Sequence, residues 1–183
     1  MKFIETKLKG CYVIEVITHK DSRGWFSRTY SKDEFHKINY DKEWVQINHS
    51  FTTEKGIIRG MHFQLPPFAE TKLIRCISGS IYDVAIDLRK NSNTFLKWFG
   101  IELSAENKKM ILIPEGFAHG FQTLADNCEL IYHHSNFYSP NSEGGIKYDD
   151  PHVRITWPLK MAGISEKDNH YEHLEENFKG ILL

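Results

Sequence analysis

The sequence predicts an all-β protein, an antiparallel jelly-roll barrel with a few short helices, on three observations. From Trp44 onward, WVQINHSF, GIIRGMHF, KLIRCIS and SIYDVAIDL follow one another with Gly, Pro, Ser or Lys between them, at the spacing of strands in sandwiches and barrels. In SIYDVAIDL, Tyr82, Val84, Ile86 and Leu88 fall on one side and Ile81, Asp83, Ala85 and Asp87 on the other, which is the period of a strand. No segment is long enough to serve as the helix of a βαβ crossover, which argues against a doubly wound parallel sheet.

Taken in order, Cys11 to Thr18 is rich in Val, Ile and Tyr and reads as a strand. A turn at Asp21-Ser22-Arg23-Gly24 leads into a second strand, the aromatic segment Trp25 to Tyr30. Ser31 precedes Glu34 by three residues, the spacing of a capping box, and predicts one or two turns of helix over SKDEFHKI. After the β-rich stretch, a loop at Lys90 to Phe95 separates SIYDVAIDL from LKWFGIELS, KKMILIP and HGFQTL, with a turn at Ser104-Ala105-Glu106-Asn107. The two acids on one side of Ser80 to Leu88 mark that side as wet or functional. The tail from Ser165 is polar, with a helical cast around His170 to Phe178.

Composition narrows the function classes. A chain of 183 residues suits a single domain spanning residues 1–183. With 23 basic and 24 acidic residues there is no global field to attract nucleic acid or an anionic membrane, so any anion site is local. Cys11, Cys76 and Cys128 form neither a CxxC motif nor a disulfide framework. The start, MKFIETKLKGCYVIEV, lacks the apolar stretch of a signal peptide, and no run approaches the ~20 apolar residues of a membrane span. A cytoplasmic protein is expected.

The chemistry is organised around GMHFQLPPFAETK, Gly60 to Lys72, where a histidine in a predicted strand precedes a proline loop and a lysine. IPEGFAHGF and CELIYHHSNFY, Ile113 to Phe121 and Cys128 to Tyr138, are read as the other walls of one pocket. If the last is an unbroken strand, Tyr132, His134, Asn136 and Tyr138 share a face: either core packing, the commoner use of strand aromatics, or a phenol placed as a general acid. Arg59, Lys72 and Arg75 form either a solvated face or a cluster for phosphate oxygens. His62, Glu70 and His119 resemble the ligands of metal-binding cupins, but the expected His-x-His pair is His62-Phe63-Gln64 here, a poor set for a transition metal. Asp149-Asp150-Pro151 reads as a turn.

The segments DSRGWF, VQINHS, GIIRGMHFQLPP, TKLIRCISGSIYDVAIDLR, LSAEN, IPEGFAHGF, YSPNSEGGI and SEKD, in this order from Asp21 to Asp168, closely resemble the RmlC family, the dTDP-4-dehydrorhamnose 3,5-epimerases. The resemblance implies a cupin jelly roll, usually a homodimer, that needs neither metal nor organic cofactor and takes a nucleotide-diphosphate keto-deoxysugar. It makes His62 the base, oriented by Asp168, Tyr132 the acid on the opposite side of the sugar, and Lys72 the cation beside the developing enolate oxygen. Arg59, Lys72 and His119 match sugar-diphosphate contacts, and Gln46, Asn48 and Tyr138 surround the nucleotide. Arg23 and Phe26 match residues that reach into a neighbouring subunit's site, and Arg28 and Glu143 complete the implied substrate contacts.

Two positions depart from the family pattern. Arg28 stands where an acid is usual, and Ile47 interrupts the usual VQDN. Arginine only donates, which suits an acceptor such as cytosine N3 better than the N3–H of thymine. A CDP-linked substrate and inversion at C3 alone or C5 alone therefore stay open. So do a 3,4-ketoisomerase, a non-catalytic sugar-binding cupin and a metal-dependent cupin.

Overall fold

The structure is a computed structural model describing residues 1–183. Its strands are β1 (Lys2–Glu5), β2 (Tyr12–Glu15), β3 (Thr18–Asp21), β4 (Gly24–Ser27), β5 (Gln46–Thr52), β6 (Ile57–Gln64) and β7 (Lys72–Ser78). They continue with β8 (Ser80–Asp87), β9 (Trp98–Ser104), β10 (Met110–Ile113), β11 (Phe117–Thr123), β12 (Cys128–His134), β13 (Glu143–Gly145) and β14 (Gly163–Ile164). Two short helices, α1 (Lys32–His36) and α2 (Glu166–Asn169), complete the chain.

The strands build two facing sheets, ordered β1-β2-β10-β7-β12-β5 and β13-β6-β11-β8-β9, with β14 parallel to β6. The predicted jelly roll is therefore present. Between the sheets, Ile74, Cys76, Ile111 and Leu130 meet Ile81, Ala85, Leu103 and Phe121 in one buried cluster. Fully burying each such aliphatic side chain stabilises the fold by roughly 1.5–3 kcal/mol. The second sheet is covered on its outer face too, where Met61, Val84, Ile86 and Ala118 pack against Ile146, Val153 and Ile181.

Burial on both faces changes the meaning of the acids on β8. Asp83 and Asp87 are both fully buried, so their side of the strand is dry rather than wet. Asp87 accepts from Arg89, Ser92 and Thr94 and ties down the loop before β9, while Asp83 turns toward β11.

Several predicted boundaries shift. The strand read over Cys11 to Thr18 is divided between β2 and β3, which belong to different sheets, and β4 stops at Ser27. β3 and β4 form a separate two-stranded hairpin that exposes Trp25 and Phe26. The helix near Ser31 is present, although Ser31 makes no side-chain cap bond. The tail's helix is α2, not His170 to Phe178; Ser165 starts it by accepting from the Asp168 N–H at 3.1 Å. The turn at Ser104 to Asn107 closes by reciprocal side-chain bonds, and Asp150 accepts the N–H groups of His152 and Val153 as a turn residue does. No helix is long and apolar enough to cross a membrane.

Candidate active site

Alternation carries the inner face of the first sheet from core to cavity. On β7 the inward positions run Cys76, Ile74, Lys72, and on β12 they run Leu130, Tyr132, His134. At that end of the inter-sheet space lies a cavity of about 550 Å³, with Arg59, His62, Lys72, His119, Tyr132 and His134 in its walls. A groove of about 600 Å³ elsewhere passes Lys7, Trp98 and Arg154, but its one imidazole, His152, lies on the surface.

His62 sits on β6, with its side chain about one-third exposed to the cavity. Its Nε2 lies 2.7 Å from Asp168 Oδ1. A carboxylate only accepts, so Nε2 carries the hydrogen and Nδ1 keeps the lone pair of a base. Asp168 is itself fixed: its Oδ2 accepts from the Gly60 N–H at 3.0 Å. Burial pushes the Asp168 carboxyl up, but the bond and charge of His62, with the Gly60 and Ser165 bonds, outweigh it and hold the acid below its ordinary range.

Directly across the β6–β11 ladder from His62 is His119. Its Nε2 lies 2.9 Å from Asp83 Oδ2, and burial lowers the imidazole's proton affinity despite that carboxylate. The two strands meet without side chains at Gly60 and Gly120; a Cβ on Gly60 would lie 2.5 Å from the Gly120 Cα. This close approach, beside a register shift between His119 and Phe121, brings the two His–Asp pairs to one wall.

The opposite wall is the first sheet. The Tyr132 hydroxyl lies 2.9 Å from Ser50 Oγ on β5, and burial raises the phenol's pKa, so it stays protonated at neutral pH. Lys72 is nearly buried and lies 3.3 Å from Glu70. From β6 of the facing sheet, Arg59 reaches across to this wall and donates to Thr52 Oγ1 and the Phe51 carbonyl on β5. Arg75 does not join this group. It is three residues from Lys72 on β7, which turns it to the outer face of the sheet.

The remaining predicted positions divide into a rim and an outlying set. Asn48 lines the cavity and its Oδ1 accepts from Gln46 at 3.1 Å; Gln46 in turn accepts the Tyr138 N–H, and the Tyr138 hydroxyl donates to Glu143 at 2.8 Å. Tyr138 and Asn136 lie beyond the end of β12, so the shared face stops at His134. Arg23 and Phe26 project on the β3–β4 hairpin, where Phe26 is 67% exposed, and Arg28 follows on the surface. None of these three lines this chain's own cavity.

The candidate metal ligands are dispersed by their pairings: His62 with Asp168, His119 with Asp83, and Glu70 with Lys72 and His134. No group of three or more His, Cys, Asp or Glu is arranged to hold an ion. Sequence reasoning passed over Ser50, Asp83 and His134 as site residues. Asp83 left a signal, an acid among apolar inward positions, and His134 left another, its shared face with Tyr132.

Fold and site together define a cupin-type jelly roll with a carboxylate-held imidazole on one sheet, a phenol on the other and cations between them. The family model for dTDP-4-dehydrorhamnose 3,5-epimerase matches residues 5–176. The Shigella flexneri enzyme of that name is 44% identical over 92% of this chain and 93% of its own. The crystal structure of the Elizabethkingia anophelis enzyme superposes with a TM-score of 0.92 at 40% identity, covering 97% of this chain and 98% of its own. The Legionella pneumophila RmlC, solved in complex with dTDP-4-keto-L-rhamnose, gives 0.89 at 35% identity, covering 94% and 92%. The chain belongs to the dTDP-4-dehydrorhamnose 3,5-epimerase family.

Proposed function

We propose that this chain epimerises a dTDP-4-keto-6-deoxyhexose, converting dTDP-4-dehydro-6-deoxy-D-glucose to dTDP-4-dehydro-L-rhamnose. The ketone at C4 acidifies the hydrogens on C3 and C5. His62 Nδ1 removes one of them, the C–H electron pair becomes the enolate, and its charge rests on the C4 oxygen beside Lys72. Tyr132 then gives its proton to the same carbon from the opposite face, and solvent returns both residues to their starting protonation. In the gluco configuration both hydrogens point to one side of the ring, so one base serves both carbons. A single well-placed donor on the developing oxyanion contributes about 3–4 kcal/mol.

The observation that carries this reading is the placement of His62 and Tyr132 on facing sheets, β6 and β12, with the cavity between them. Inversion requires a base and an acid on opposite sides of the carbon. Arg59 and His119 are assigned to the diphosphate, and Gln46, Asn48, Tyr138 and Glu143 to the nucleotide. Arg23 and Phe26 are assigned to the site of a second subunit in a cytoplasmic, single-domain homodimer, and Arg28 to recognition of the nucleotide base. The exposure of Arg23 and Phe26 on the hairpin, away from this chain's cavity, supports the assignment of those two.

The test follows deuterium by NMR in D₂O with dTDP-4-keto-6-deoxyglucose, His62→Ala serving as control. Enzyme-dependent exchange at C3 and C5 with inversion, absent in the control, is expected. Exchange at one carbon makes the enzyme a monoepimerase, and exchange only with the CDP-linked sugar overturns the thymidine assignment.

A further inference from the structure

Glu70 and His134 stand in or behind the cavity wall and take no part in the proton transfers above. The Glu70 carboxylate is shared: Oε2 lies 2.7 Å from His134 Nδ1, and Oε1 lies 3.3 Å from Lys72 Nζ. All three side chains are nearly buried, at 8–11% exposure, so water competes little for these contacts. Because the carboxylate only accepts, His134 donates from Nδ1, and the Asn48 amide donor beside Nε2 assigns that nitrogen as the acceptor.

That acceptor lies 3.3 Å from Asn48 Nδ2, while Asn48 Oδ1 accepts from Gln46 Nε2 at 3.1 Å. Each link then has one donor and one acceptor. The chain runs from Gln46 through Asn48 and His134 to Glu70, where Lys72 meets it from the other side. It follows the register of the sheet, in which Gln46 on β5, His134 on β12 and Lys72 on β7 lie side by side.

We infer that His134 is a positioning residue for Lys72, acting through Glu70. With His134 holding one carboxylate oxygen, Lys72 makes a single contact to the other, and its remaining N–H groups are left for a ligand oxygen in the cavity. Without that hold, both oxygens of Glu70 can close on the ammonium and draw it back from the substrate. The inference rests on the epimerase reading, because the position of Lys72 matters through the enolate oxygen.

The test compares His134→Asn with His134→Gln in the dTDP-sugar assay. An asparagine amide reaches near the Nδ1 position and keeps a donor for Glu70; a glutamine amide reaches near Nε2 and leaves Glu70 unheld. His134→Gln is expected to lose about tenfold or more in kcat with KM within about threefold, whereas His134→Asn retains kcat within about threefold of the parent. The reverse order, meaning a direct contact of Nε2 with substrate, or equal kcat in both variants overturns the positioning role. If the parent exchanges neither carbon, the epimerase reading fails and takes this one with it. A second measurement needs no turnover: ¹⁵N NMR of the parent is expected to place the His134 hydrogen on Nδ1, and an Nε2–H ring overturns the proposal even if both variants misfold.

Discussion

His62 Nε2 and Asp168 Oδ1 lie 2.7 Å apart although 106 residues separate them in the chain. The contact fixes the imidazole tautomer and aligns the ring with the cavity. It also joins the C-terminal helical turn to β6, because the same carboxylate holds the Gly60 N–H.

Asp168→Asn keeps the shape of the carboxylate and removes its charge. A hydrogen bond to a charged group is worth roughly 1.5–3 kcal/mol, so kcat is expected to fall about 10- to 150-fold. Steady-state kinetics on the dTDP-keto sugar check this. A change confined to KM would mean that Asp168 does not serve the base.

Tyr132→Phe removes the proposed acid and leaves the proposed base, His62. Epimerisation is expected to fall by roughly 10²- to 10⁴-fold, the usual worth of a positioned acid. Deuterium should still enter C3 and C5 with retention, because His62 can return a solvent-derived deuteron to the face from which it took the proton. Loss of exchange together with loss of inversion would instead make Tyr132 necessary for proton removal.

Stability should decline in two stages as pH falls. The folded pKa of His119 lies below its ordinary value of 6.5 because burial disfavours the charged ring. Its contribution is complete above about pH 6.5 and is lost as acid drives the unfolded chain to protonate first. Asp168 is also lowered, from 3.8, so its contribution is complete above about pH 4 and fades as pH falls through the folded value. Urea midpoints measured from pH 7 to pH 3 are expected to drop in both ranges, His119→Gln flattening the upper stage and Asp168→Asn the lower. An upper stage unchanged in His119→Gln would contradict the first assignment.

Gly60 combines φ of +123° with a backbone approach that leaves no room for a methyl group. Gly60→Ala is expected to cost on the order of 3 kcal/mol from strain and overpacking. For a chain of this length that corresponds to roughly 10 °C in Tm. Calorimetry showing a loss of less than about 2 °C would mean that β6 and β11 separate easily there.

Much of the fold was legible in local sequence. The alternation of Ser80 to Leu88 assigns β8 and the face of each residue, and the linked motifs from Asp21 to Asp168 assign the family. Lys72 and Arg75 look alike as neighbouring cations, yet they are three residues apart on a strand and face opposite ways. The helical cast of His170 to Phe178 failed for a related reason. Local propensity was overruled where tertiary contacts hold the tail in an irregular path, such as the Leu174 N–H donating to Asp150.

By itself, the sequence determined the class of fold, the family and the kinds of groups available for chemistry, since strand period and motif are properties of adjacent residues. Tertiary structure alone decided which groups meet. His62 and Tyr132 face each other only because β6 and β12 belong to different sheets, and Glu70 reaches His134 across 64 residues only because β7 and β12 are paired. Long-range pairing is set by how the two sheets close over a common core, and no local pattern of hydrophobicity encodes that closure.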